Sequence, residues 1–150
     1  EMEFKESDCR NLSWLADNSV DEIYAEQLIE HIHPMDIPET LYEWSRVLKI
    51  GGSLVLIFPD FGKLVNIYEK CRDLKTADDL MWHHRLCYAV LNATKGELAK
   101  SDSHRCLITT QFLELHFRHE GFKLTSVEPF GSEMEQLYYT KLTATKERQS

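Results

Sequence analysis

The segment from Asp17 to Asp60 decides the fold of this chain. It contains DNSVDEIYA at 17–25, LIEHI at 28–32, EWSRVLKIGG at 43–52 and SLVLIFPD at 53–60. Asp21–Ala25 follows a turn-forming Asp-Asn-Ser and predicts a short strand. The run 53–58 is almost continuously apolar, which is typical of a strand buried on both faces of a parallel sheet.

A helix is predicted between these two strands, from Pro38 to about Lys49. Leu41, Trp44 and Leu48 fall at i, i+3 and i+7 and form one apolar stripe. Proline suits the first turn of a helix, and Gly51-Gly52 is predicted to end it. Strand, helix and strand in this order favour a parallel α/β sheet.

The remaining pattern continues the alternation of helices and strands. Predicted helices cover Phe61 to about Leu74, Thr76 to about Asn92 with a Thr76-x-x-Asp79 capping box, and a segment capped by Thr109 or Thr110 and ended by Gly121. Predicted strands cover Lys123–Val127 and Gln136–Thr145, with a weak one at Met2–Phe4 and a polar loop at Lys95–Ser103. We therefore expect one α/β domain over 1–150, whose last two strands pair antiparallel.

Composition excludes several classes of function. The chain has 150 residues and a formal net charge of -8, with no run of basic residues, so we expect neither a nucleic-acid nor a membrane partner. No apolar stretch approaches about 18 residues, and the first residues lack a signal-peptide pattern. The four scattered cysteines, Cys9, Cys71, Cys87 and Cys106, favour reduced thiols in a cytoplasmic protein over disulfides.

The segments quoted above resemble class I S-adenosylmethionine-dependent methyltransferases of type 11. Residues 17–32 are similar to that family's fourth strand and following turn, and 43–60 to its next helix, glycine turn and fifth strand. FLELHFRHEGF at 112–122 and LYYTKLTATK at 137–146 are similar to its last helix and closing hairpin. The resemblance implies a Rossmann-like methyltransferase sheet and S-adenosylmethionine as cofactor.

Two departures from the family pattern affect this expectation. Ile50 stands where the family usually has proline, which is minor because the glycines follow it. The glycine-rich G-x-G-x-G loop after the first strand is missing, as is the acidic residue that ends the second strand. We therefore expect an N-terminally truncated sheet without its first two strands, about the C-terminal two-thirds of the domain, with weak or absent cofactor binding.

The resemblance implies five cofactor-binding residues. Asp8 and Cys9 match the position after the third strand, where an acidic side chain often meets the adenine amino group; the alternative is a solvated aspartate before a turn. Tyr24, Ala25 and Glu26 end the first clear strand, where ligands bind in open α/β sheets. Ordinary packing at a strand end is an equal alternative for these three residues.

Catalytic and acceptor residues are assigned in the same way. His31 and His104 are the predicted bases, because histidine exchanges protons near neutral pH. Glu30 pairs with His31 in the family motif and is assigned to the acceptor pocket, although this pair could instead order the loop. Pro59 and Asp60 end the second strand beside the predicted acceptor pocket, although Asp60 as a helix N-cap is favoured.

Seven histidines raise the question of a metal, but no pair-and-pair spacing of zinc ligands exists, so no metal is predicted. We expect a methyltransferase acting on a small molecule or glycan, or alternatively a non-catalytic methyltransferase-like domain with a structural or partner-binding role. Without the family's first strand, the strand at Asp21–Ala25 would form a sheet edge. The Met2–Phe4 segment could pair there, or the edge could stay short and hydrated, but a homodimer through that edge is the favoured prediction.

Overall fold

A computed structural model describes residues 6–73, 75–91 and 103–148. The predicted strand at Met2–Phe4 and positions 95–102 of the predicted loop lie outside the described residues. The main elements are β1 Val20–Glu26, α1 Ile37–Val47, β2 Leu48–Pro59, α2 Phe61–Cys71, α3 Ala77–Leu91, α4 Thr110–His119, β3 Phe122–Pro129 and β4 Tyr139–Lys146. Short 3-10 turns occupy Ile29–His31, Pro34–Asp36 and Glu135–Leu137.

The described strands form one mixed sheet in the order β1-β2-β4-β3. β1 and β2 are parallel and are joined through α1, while β4 runs antiparallel to both β2 and β3. This arrangement confirms the predicted α/β class and the closing antiparallel pair. It also places β1 at one edge of the described sheet. The carboxyl end of β1 is Glu26, and the chain continues from there into the next segment.

The core is built around β2. Its residues 54–59 are all buried, as the apolar run predicts for a strand covered on both faces. Trp44 from α1 and Phe117 from α4 pack into the same buried cluster as Phe58, and Phe112 packs against its margin. Hydrophobic burial of these large side chains therefore holds α1 and α4 against the sheet.

The predicted glycine turn is corrected by the structure. α1 ends at Val47, and Gly51 and Gly52 lie inside β2 instead of ending the helix. Gly51 has φ +83°, and the pairing with β1 shifts register at this place. A Cβ on Gly52 would stand 2.9 Å from the carbonyl oxygens of Asp21 and Lys49. The glycines therefore form an irregularity in the strand: Gly51 takes a backbone conformation that favours glycine, and a side chain at Gly52 would collide with backbone oxygens.

Other boundaries differ by a few residues. The last strand begins at Tyr139 rather than Gln136, because Glu135–Leu137 close a 3-10 turn first. The capping box is confirmed, since the Asp79 carboxylate accepts from the Thr76 amide and the Thr76 hydroxyl accepts from the Asp79 amide. Across the described part of the chain, every helix is too short or too polar to cross a lipid bilayer.

Candidate functional site

The region after β1 carries two of the predicted site residues, Glu30 and His31. Gln27 has φ +49°, and its amide donates to the Ile57 carbonyl at 2.8 Å, which extends the pairing with β2 by one bond. The chain then enters the 3-10 turn Ile29–His31, in which Ile29 and Glu30 are buried. This turn places the Glu30 and His31 pair next to the carboxyl end of a parallel strand, where open α/β sheets bind ligands.

A second segment, residues 103–108, lies across this turn. The amides of Arg105 and Cys106 both donate to the Glu30 carbonyl, at 2.8 and 3.0 Å. The Phe61 amide in turn donates to the Ile108 carbonyl at 2.8 Å, which ties the segment to the start of α2. These backbone bonds bring His104 to the Glu30–His31 pair.

Glu30, His31 and His104 form a compact cluster. The two imidazole rings have their centroids 4.9 Å apart and meet edge to face at 78°. His104 Nε2 lies 3.9 Å from Glu30 Oε1, and the side chains of His104 and Glu30 are only 9% and 1% exposed. One potential metal-binding atom from each of the three residues lies within 4.8 Å of the others. The structure thus brings His104 to the Glu30–His31 pair, from which it is separated by more than 70 positions in the sequence.

The tautomer of the neutral His31 ring follows from its hydrogen-bond partner. Its Nδ1 lies 3.3 Å from the Ser103 carbonyl oxygen. A carbonyl can only accept, so Nδ1 carries the hydrogen and Nε2 keeps the lone pair in the neutral ring. That lone pair can accept a proton or bind a metal ion.

A cavity of about 230 Å³ opens beside this cluster. Its lining consists of Cys9, Arg10, Leu28, His31, Ile32, His33 and Arg105. Burial, reinforced by the negative charge of Asp8, raises the pKa of the Cys9 thiol, which therefore stays protonated near neutral pH. Cys9 is further fixed by its carbonyl, which accepts a 2.8 Å hydrogen bond from the Trp44 indole.

Asp8 is engaged by a neighbouring guanidinium. Arg10 contacts the Asp8 carboxylate at 2.7 Å and reaches Asp36 at the same distance. The hydrogen bonds from Arg10 lower the pKa of Asp8 to about 2, so this carboxylate is ionised at neutral pH. Contact with an adenine amino group would have to share an oxygen that Arg10 already uses.

The three residues at the end of β1 stand apart from this cavity. The Tyr24 hydroxyl donates to Glu26 Oε2 at 2.9 Å, and both side chains are exposed, whereas Ala25 is buried in the core. None of them is among the cavity's lining residues in the described structure. Their assignment to the cofactor stays a prediction.

Asp60, which follows Pro59 at the end of β2, forms the N-cap of α2. Its Oδ1 accepts from the Gly62 amide at 2.9 Å. Its Oδ2 accepts from the hydroxyl of Thr110 at 2.7 Å and faces that of Thr140 at 3.5 Å. The carboxylate is buried and joins α2, α4 and β4, which is the structural role favoured for it from the sequence.

Sequence reasoning missed the backbone and arginine partners of the site. Ser103 orients His31, and Arg10 and Arg105 line the cavity, but no local spacing points to any of them. His31 and Ser103 are 72 positions apart, so only the folded chain reveals their contact. The resemblance to the family supplied the usable signals for the cluster itself, the Glu30–His31 pair and the histidine before α4.

Comparison with known proteins agrees with this fold. Residues 1–56 match a family model described as a methyltransferase domain. No curated protein matches the sequence significantly. The family model thus matches 56 of the 150 residues.

Three solved structures illustrate the likeness. An S-adenosylmethionine-dependent methyltransferase from Methanosarcina mazei aligns with TM-score 0.61 and 17% identity over 96% of this chain and 66% of its own. A putative methyltransferase in complex with the Haloferax volcanii Trm112 methyltransferase activator aligns with TM-score 0.58 and 16% identity, over 95% of this chain and 60% of its own. A 1,6-didemethyltoxoflavin-N1-methyltransferase from Burkholderia thailandensis, with bound S-adenosylhomocysteine, aligns with TM-score 0.57 and 14% identity, over 93% of this chain and 48% of its own.

The fold is that of the class I S-adenosylmethionine-dependent methyltransferases, and the predicted resemblance is confirmed. S-adenosylmethionine is the cofactor of this class, as the sequence implied. The chain spans less than two thirds of each of the three chains described above.

Proposed function

We propose that this chain forms part of an S-adenosylmethionine-dependent methyltransferase that acts on a small molecule or a glycan. The observation that carries the proposal is the cluster of Glu30, His31 and His104 beside the carboxyl end of β1. A small-molecule acceptor is supported by the fold likeness to a methyltransferase whose substrate is a small heterocycle.

The cavity residues fit one end of the cofactor. Cys9, Leu28 and Ile32 offer an apolar wall beside a cavity of about 230 Å³, which is below the usual size of a whole ligand pocket. These residues would hold the adenine end, with Asp8 at its margin. Bound S-adenosylmethionine would supply an electrophilic methyl group on a sulfonium sulfur.

The histidines would manage the acceptor's proton. A hydroxyl or amine must lose its proton as its oxygen or nitrogen attacks the methyl carbon, and a neutral imidazole is suited to take it. His31 Nε2 has the lone pair for this step, because Nδ1 is held by Ser103. The Glu30 carboxylate, 3.9 Å from His104, would stabilise a positive charge on that ring.

Titration calorimetry with S-adenosylhomocysteine tests the proposal. We expect saturable binding, and we expect Leu28→Lys to weaken it at least tenfold because the longer charged side chain enters the cavity. Leu115→Lys on the exposed face of α4 is the matched control and should bind normally. No detectable binding at millimolar ligand would overturn the proposal for this chain.

The second hypothesis is a methyltransferase-like domain with a structural or partner-binding role. Its support is that this sequence contains no G-x-G-x-G run to approach the cofactor. A folded chain, shown by circular dichroism, that fails to bind S-adenosylhomocysteine would favour this second function.

We further propose a homodimer that pairs through β1. Its support is that β1 lies at the edge of the described sheet, where backbone groups can pair with another strand. Asp21, Glu22 and Glu26 are exposed along it, so two copies repel and the dimer should strengthen with salt. A single-chain mass by light scattering at high protein and salt concentration would contradict the dimer.

We also propose that the protein is located in the cytoplasm. Cys9, Cys71 and Cys106 are free thiols, as expected in a reducing compartment. Detection of the protein only in an oxidising compartment, by fractionation of its source cells, would contradict this location.

A further inference from the structure

We propose that Glu30, His31 and His104 form a binding site for a divalent transition-metal ion of the Zn²⁺ type. The proposal stands independently of methyl transfer, since it concerns the ion alone. It goes against the sequence-based expectation of no metal, because the three side chains come from two segments far apart in the chain.

The donor set has the chemistry of an open metal site. Two imidazoles and one carboxylate are the ligands of many catalytic zinc sites, in which water or substrate takes the fourth position. The same set also suits Fe²⁺, Co²⁺ and Ni²⁺, whereas Mg²⁺ prefers oxygen ligands alone. The site is therefore expected to discriminate Zn²⁺ and Co²⁺ from Mg²⁺.

The geometry needs only small movements to close on an ion. The three donor atoms lie within 4.8 Å of one another. Tetrahedral ligands at the usual Zn–N and Zn–O distances stand about 3.3 Å apart, so the donors must approach by at most about 1.5 Å. The rings of His31 and His104 are already neighbours, with centroids 4.9 Å apart, so the two imidazoles need no change of backbone to share one ion.

The surroundings supply the support that metal ligands usually have. A ligating histidine commonly donates its second ring N–H to a backbone carbonyl, which fixes the tautomer. His31 makes this contact with Ser103. The backbone bonds from Arg105 and Cys106 to the Glu30 carbonyl hold the two ligand-bearing segments together before any ion arrives.

Access to the site is provided from one side. Glu30 is buried and the His104 side chain is only 9% exposed, whereas His31 lines the open cavity, so an ion can enter from there. A nitrogen that binds the ion cannot also accept a proton, so a metal ion and an acceptor's proton would compete for His31.

Metal titration of the tag-free chain tests the proposal. Calorimetry with ZnCl₂ should show one ion per chain, and Glu30→Gln, His31→Ala and His104→Ala should each weaken binding at least tenfold. His33→Ala is the matched control, because His33 lines the same cavity but lies outside the cluster. MgCl₂ should give no saturable binding.

Absence of Zn²⁺ binding, or binding that the three variants leave unchanged, would overturn the proposal. Should a variant fail to fold by circular dichroism, the absorption spectrum of the unmodified chain with Co²⁺ decides the question. We expect the intense visible bands of low-coordinate Co²⁺ with nitrogen and oxygen ligands. A thiolate charge-transfer band from a cysteine, or the pale spectrum of hydrated Co²⁺, would contradict the site.

Discussion

The ammonium group of Lys146 donates to the carbonyl oxygen of Ser45 at a distance of 2.5 Å. It also donates to the carbonyl oxygen of Leu48 at 2.7 Å and to the side-chain oxygen of Asn18 at 3.0 Å. Lys146 is fully buried at the end of β4, and its two carbonyl partners belong to the last turn of α1 and the residue that follows it. One cation thus satisfies carbonyls that the helix end leaves without partners within the helix.

Lys146→Met is expected to lower the free energy of unfolding by about 2–4 kcal/mol, because buried carbonyls lose a charged donor. Urea denaturation measures the change. Lys123→Met removes an exposed lysine whose ammonium lies 3.4 Å from Glu147, and it should cost less than about 1 kcal/mol. Equal effects of the two substitutions would contradict the role given to Lys146.

The Asp60 carboxylate should behave as a structural group. Asp60→Ala is expected to cost about 1–3 kcal/mol, since it removes the cap of α2 and the bond from Thr110. A double-mutant cycle with Thr110→Val should give a coupling of about 1 kcal/mol. Additive effects would show that the two side chains do not interact.

Glu43 should make stability depend on acid pH. Its carboxylate accepts from Arg46 and from the Leu12 amide, and the hydrogen bonds from Arg46 hold its pKa below the ordinary 4.5. The unfolded chain therefore binds the proton more tightly, so this stabilisation is full above pH 4.5 and is lost as pH falls through the lower folded value. In urea titrations across this range, Glu43→Gln should show a flatter pH dependence, and an unchanged slope would contradict the pairing.

The two glycines of β2 should differ in their tolerance of a side chain. Gly51→Ala is expected to cost about 1–2 kcal/mol, because φ is +83° but nothing lies within 4 Å of a Cβ there. Gly52→Ala should cost more, about 2–4 kcal/mol, because its Cβ would stand 2.9 Å from two backbone oxygens. Thermal unfolding of both variants measures the order, and a larger loss for Gly51→Ala would contradict the geometry.

How much of the fold and site the sequence could predict depends on how far apart along the chain the interacting residues are. The burial of β2 and the cap at Thr76 follow from patterns within a few residues, and both are confirmed. Gly51-Gly52 was wrongly predicted to end α1, because a strand irregularity depends on the neighbouring strand, which local spacing does not show. The cluster at Glu30 depends in the same way on a segment joined to it only through the fold.

The bonds from Arg105 and Cys106 to Glu30 have a consequence for how the site could change over time. Both bonds use backbone amides, so they form with almost any side chain at positions 105 and 106. Arg105 can thus be exchanged, altering the charge of the cavity wall, while His104 keeps its place beside Glu30. The assembly of the cluster and the charge of the cavity wall therefore rest on different atoms of the same few residues, so the ligand preference of the cavity could change without rebuilding the cluster.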